Sequence, residues 1–126
     1  MVRLKHRFTI PVLKAMDGSR ILGIRAGEDH KFLGVWVVVI RDRVFVRSWN
    51  NKAGGWYRAF LNDPNGMIQI GNRQISVRAK PVSNERLLDA IDDAYAAKYK
   101  TPSSLQYVRG FRHKRRRMTT IEFVPR

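Results

Sequence analysis

The 126-residue chain has no cysteine, which excludes disulfides, thiolate nucleophiles, cysteine-held zinc and iron–sulfur clusters. It has no apolar run near the roughly 18 residues of a membrane span. The basic start, Met1 to Arg7, is followed by no apolar signal core, because Lys14, Asp17 and Arg20 interrupt it. A cytoplasmic location is therefore expected. Histidine is limited to His6, His30 and His113, none with a carboxylate at ligand spacing, so neither a metal site nor a histidine base is expected. Asp92 and Asp93 are neighbours on a helical pattern and point apart, so they form no catalytic dyad. Ser48 has no histidine near it in sequence and no nucleophile elbow around it. Hydrolytic chemistry finds no support.

Acidic residues are scarce: 10 Asp and Glu stand against 25 Lys and Arg, giving a formal net charge of +15. The excess gathers near the two ends. A basic arm at 1–7 holds Arg3, Lys5 and Arg7, and the segment Arg109–Arg117 is the densest charge in the chain. Such a field concentrates phosphates, acidic membranes or acidic partners. The length fits one domain over 1–126, with a core that needs no covalent staple.

Hydrophobic patterning predicts a mainly β, α+β fold. A short helix is expected over 8–16, with Thr9 as cap and Pro11 in its first turn. A weak strand follows at 20–25. Leu33–Ile40 is apolar on both faces and β-branched, which predicts a central buried strand. Arg41–Arg43 is a tight turn into a second strand over 44–49. A helical turn is expected at 56–61, then a hairpin of 67–70 and 74–79 about Gly71-Asn72. The clearest helix spans 84–100, with Ser83 as cap and Thr101-Pro102 as stop. Residues 102–114 read as irregular, and 118–124 as a last strand. Six short, hairpin-connected strands and one covering helix predict a small closed or half-closed antiparallel barrel.

Three segments carry a family resemblance: Gly34-Val35-Trp36-Val37-Val38-Val39, Val44-Phe45-Val46-Arg47-Ser48, and Gly55-Trp56-Tyr57-Arg58-Ala59. With Ala90–Tyr95, Lys98-Tyr99 and the ending Thr119–Arg126, they resemble the bacterial domain of unknown function 2255 family, from about residue 20 to the end. That family in turn resembles the FMN- and deazaflavin-binding split barrels, such as pyridoxamine phosphate oxidase-like proteins. The resemblance implies a six-stranded antiparallel split β-barrel, a homodimer, and a flavin near the dimer interface.

Arg47 and Ser48 end a strand, Asn51 and Lys52 follow, and Gly54-Gly55 lead into a helical turn. Charged donors beside free backbone N–H groups suit a phosphate. In the split-barrel flavoproteins the corresponding strand and loop hold the flavin phosphate. Arg47, Ser48, Asn51 and Lys52, with Arg58 in support, are thus the candidate cofactor residues; the alternative is a solvated hairpin end. Trp49 is a candidate stacking surface, whereas Trp36 and Trp56 read as packing residues. The Arg109–Arg117 run suits a solvated loop, a polyanionic cofactor tail or nucleic acid. Three functions follow: a flavin or deazaflavin oxidoreductase, a cationic nucleic-acid-binding barrel, or a ligand-free interaction module.

Overall fold

The valine-rich run Leu33–Ile40 does not form one central strand. In the computed structural model, which describes residues 7–126, it breaks at Trp36 into β2 (Leu33–Val35) and β3 (Val37–Ile40). Its two halves become the two edges of a single sheet. The other strands are β1 (Leu22–Ala26), β4 (Arg43–Arg47), β5 (Asn65–Ile70), β6 (Arg73–Pro81) and β7 (Thr120–Pro125). The order is β2-β1-β5-β6-β7-β4-β3, and every neighbouring pair is antiparallel. Because the chain passes directly from one edge to the other at Trp36, the sheet nearly closes into a barrel. The count is seven strands rather than the expected six, and the break at Trp36 is the whole difference. His6 and most of the basic arm lie outside the described residues.

Alternation then builds two cores. Val37, Val44, Val46, Ile121 and Phe123 point into the barrel and meet Leu22, Ile24, Ile68 and Val77 from the other wall. The helix α1 (Ile10–Gly18) adds Val12, Leu13 and Met16, and α2 (Trp56–Asn62) adds Tyr57 and Phe60. Each such side chain contributes about 1.5–3 kcal/mol over leaving it exposed. Gly66 permits the tight approach of β1 to β5, since a Cβ there would lie 2.3 Å from the Arg25 carbonyl oxygen. Val38 and Phe45 point outward and bury under α3 (Glu85–Lys98) and α4 (Pro102–Gly110), with Leu88, Ile91, Tyr95, Val108 and Phe111. β4 is therefore buried on both faces, the environment that the sequence suggested for 33–40, although it lies beside the edge strand β3.

The exposed edge at Trp36-Val37 is closed by side chains of α3 and of Tyr99, its C-cap. Tyr95 donates to the Trp36 carbonyl at 3.1 Å, and Lys98 Nζ donates to the Val37 carbonyl at 2.8 Å. The Val37 N–H donates to the Tyr99 hydroxyl oxygen at 3.0 Å, and that hydroxyl donates to the Arg20 carbonyl at 2.7 Å. Strand edges left unpaired invite association, and these three residues satisfy this one. Burial raises the Tyr95 hydroxyl far above its ordinary range and pushes Tyr99 up to about 12. Burial also lowers Lys98, an effect that Asp17 opposes.

Several local expectations change. Asn84, not Ser83, caps α3, its side-chain oxygen accepting from the Leu87 N–H at 2.9 Å. Thr9 occupies the cap position of α1 without a side-chain cap bond. Residues 102–114, read as irregular, contain α4 and the start of α5 (Lys114–Arg117). Pro102 ends α3's pattern but also opens α4, where the first-turn N–H it lacks has no intrahelical partner to lose. The barrel, α3 and α4 together leave β4's exit beside α5.

Candidate functional site

At the end of β4 the chain must leave a fully buried strand. Ser48 is still buried; its hydroxyl donates to the Asn50 carbonyl at 2.6 Å and bends the chain outward. Trp49 follows and is 39 % exposed. One of its edges packs on Gly110 at the end of α4, where a Cβ would come within 2.3 Å of the indole. Only glycine fits beneath it. Tyr107 meets the ring edge-on at 5.3 Å between centroids, and the Arg116 guanidinium lies 3.5 Å from the ring centroid. Arg116 is held there by the Trp49 carbonyl at 2.8 Å and the Gly110 carbonyl at 3.3 Å.

Between the Trp49–Asn51 loop and His113–Arg116 opens a cleft of about 650 Å³. Its wall combines an indole, two asparagine amides and three obligate cations, so it offers stacking surface and anion-binding donors together. Two segments 62 residues apart in sequence, the β4 exit and the basic run, meet here.

The expected cofactor residues separate by environment. Trp49 and Asn51 line the cleft. Lys52 is exposed on the same loop, its N–H donating to the Asn50 side-chain oxygen at 3.2 Å. Arg58 on α2 donates to the Asn51 side-chain oxygen at 2.8 Å, so it orients Asn51, and it also borders a separate hollow beside Gly27–His30. The Gly55 N–H is engaged by the Lys52 carbonyl at 3.1 Å within the turn.

Arg47 turns inward. Its side chain is fully buried, ion-paired to Asp92, and donates to Thr120 Oγ1 at 2.7 Å and the Phe111 carbonyl at 2.8 Å. Asp92 also pairs with Arg117, whose other nitrogen reaches Glu85 and Asp89 at 2.9 Å each. Glu85, Asp89 and Asp92 recur at i, i+4 and i+7 along one face of α3. This network ties β4, β7, α3 and α5 together behind the cleft. Arg47 thus lies outside the cleft, its charge already matched by Asp92.

Residues 13–123 match the family described as "Uncharacterized protein conserved in bacteria (DUF2255)". The chain belongs to the DUF2255 family. No curated protein matches the sequence of this DUF2255 member. Among solved structures it is similar to a conserved hypothetical protein from Mycobacterium tuberculosis, with a TM-score of 0.59 at 15 % identity. That match covers 98 % of this chain and 83 % of the other. It is also similar to a protein from Mesorhizobium loti described as FAD-binding, with a TM-score of 0.53 at 11 % identity. That match covers 94 % of this chain and 88 % of the other. At these identities the likeness shows a shared fold alone.

Sequence reasoning allowed the Arg109–Arg117 run a polyanionic cofactor tail as one of three readings, but it did not place Lys114, Arg115 and Arg116 in one cleft with Trp49. The available signal was Gly110-Phe111 just before the basic run, a small residue beside an aromatic, which marks a packing point rather than a solvated loop. Among the described residues no group of three or more metal-ligating side chains converges, and no helix is long and apolar enough to cross a membrane.

Proposed function

We propose that this DUF2255 protein binds a flavin-type cofactor, FMN or a deazaflavin, in the cleft between the β4 exit and α5, and acts as an oxidoreductase. The convergence of an exposed tryptophan with Asn51, Lys114, Arg115 and Arg116 about one cleft of some 650 Å³ carries this reading. The donor set fits such a group. Cationic side chains suit its phosphate or acidic tail, and the Trp49–Arg116 stack offers a flat face for its ring. The split-barrel likeness to a FAD-binding protein supports the same class of ligand. When bound, the ring system would accept or donate the hydride. The chain's own part is to bind, orient and shield it: Lys52, Lys114 and Arg115 as anion ligands, Asn51 as an oriented amide, Trp49 as platform, with Arg47, Ser48 and Arg58 holding the cleft in shape. A homodimer, with the flavin near the dimer interface, completes this reading.

The first test is the visible absorbance of the purified protein, followed by fluorescence titration with FMN and with a deazaflavin. A yellow protein, or saturable binding weakened by Lys114→Ala/Arg115→Ala, supports the proposal. A colourless protein that binds neither cofactor overturns it. Arg47→Ala alone is a poor probe, since loss of the ion pair disturbs the fold as well.

One observation favours a second reading. Trp49 and Tyr107, the latter 45 % exposed, are in edge contact beside a row of cations. Single-stranded nucleic acid binds by stacking on such aromatics while cations track its backbone. Binding to an oligonucleotide that falls steeply with salt, without any flavin binding, would select it.

A further inference from the structure

β4 is flanked by a hollow at its other end as well. At its start, the β3–β4 turn and the first turns of α3 enclose a hollow of about 440 Å³, on the opposite end of the strand from the Trp49 cleft. Its floor is apolar: Ile40 from β3, with Leu87 and Ala90 from α3, all half-buried. Its rim is cationic: Arg41, Arg43 and Arg86.

The three arginines are not equivalent. Arg43 is fixed by a two-point ion pair with Glu122, at 2.8 and 2.9 Å. Arg41 and Arg86 make no side-chain hydrogen bond or ion pair among the described residues, and both are exposed. The nearest acids on α3, Glu85 and Asp89, are turned to Arg117. Asp42, in the same turn, pairs with none of the three. The turn is also strained. Arg41 and Asp42 both lie in the left-handed region, with φ of 49° and 65°. Two-residue hairpin turns of this kind ordinarily use Asn-Gly or Gly-Gly, because other residues are disfavoured there. An arginine at such a position is compatible with a use for its side chain.

We propose that this hollow binds a small anion with an apolar body, of the aromatic or branched aliphatic carboxylate class. The carboxylate sits between Arg41 and Arg86, and the apolar body covers Ile40, Leu87 and Ala90. The complementarity is specific in kind. A bare phosphate leaves the floor wet, and a neutral apolar molecule leaves the two cations unmatched. The assignment is independent of the cleft at the other end of β4.

The test is a two-dimensional amide NMR titration of the full chain with phenylacetate, and with phenylacetamide and inorganic phosphate as controls. Expected are saturable shifts confined to Ile40–Arg43 and Arg86–Ala90, with phenylacetamide and phosphate each weaker by about tenfold. Arg86→Gln keeps a good helix former and removes the charge; it is expected to weaken phenylacetate about tenfold. Arg41→Gly relieves the left-handed strain, so the fold is retained while affinity falls by a similar factor. Absence of saturable shifts, shifts located at Trp49 and α5 instead, or unchanged affinity in Arg86→Gln would each overturn the proposal. Saturable binding of an acidic apolar peptide without binding of phenylacetate would overturn it in favour of a protein partner.

Discussion

Arg116 and Arg117 are adjacent in sequence and do opposite work. Arg117 turns back to α3, where Asp92, Glu85 and Asp89 consume its charge, and it shares Asp92 with the buried Arg47. Arg116 turns to Trp49 and, with Lys114 and Arg115, borders an open cleft. One region is a closed electrostatic network and the other an open cationic surface. The difference shows that charge density along a chain is not charge available to a partner. Each residue step in a helix turns the side chain by about 100°, enough to send one inward and the next to the rim.

The comparison breaks most sharply at Asp92. Asp92→Ala leaves Arg47 buried without its counter-ion, and a loss of about 3–5 kcal/mol in denaturant unfolding is expected. Replacing the pair together, as Arg47→Met/Asp92→Leu, is expected to restore much of that stability, because the apolar pair carries no desolvation penalty. If the single and double variants unfold alike, the network is not what holds this face.

A smaller effect is expected where the two regions touch. Gly110→Ala places a methyl group against the Trp49 indole, which must shift. A loss of about 1–3 kcal/mol is expected, with a change in tryptophan fluorescence. Unchanged emission would mean that Trp49 does not depend on α4 for its position.

Alkaline pH probes the side chains that close the sheet edge. Folded Tyr99 keeps its proton up to about pH 12, whereas an unfolded tyrosine releases it near 10. Between these values the unfolded chain binds fewer protons, so stability falls as pH rises. Tyr95 acts in the same direction. Lys98, lowered by burial, acts oppositely as pH approaches its ordinary 10.5. Unfolding curves from pH 9 to 12 should show the decline, and Tyr99→Phe should make it shallower.

The smallest stability effect belongs to the open region. Lys114→Ala/Arg115→Ala is expected to change stability by no more than about 0.5 kcal/mol per site while weakening anion binding. A large stability loss there would erase the distinction between the two regions.

Much of the fold was legible from apolar runs and from the spacing of apolar residues. Val44-Phe45-Val46, Ile121–Phe123 and the hairpin about Gly71 announce strands, and Leu88, Ile91 and Tyr95 announce α3. Helix α4 was not legible, because its buried residues, Ser104, Val108 and Gly110, are small or isolated among polar neighbours. The break at Trp36 was hidden as well, since an unbroken apolar run reads the same whether it crosses a sheet's middle or joins its two edges. At the candidate site the β4 exit was readable as a turn with anion-binding residue types. Arg47's inward direction was not, because its strand face leads to an aspartate 45 residues later.

The sequence by itself determined most of the strands, the long helix and the cationic excess, since each follows from the spacing or count of side chains along the chain. Only the tertiary structure decided which cations meet a carboxylate and which face the cleft. Ion pairing and burial depend on distances between segments far apart in sequence, and packing sets those distances.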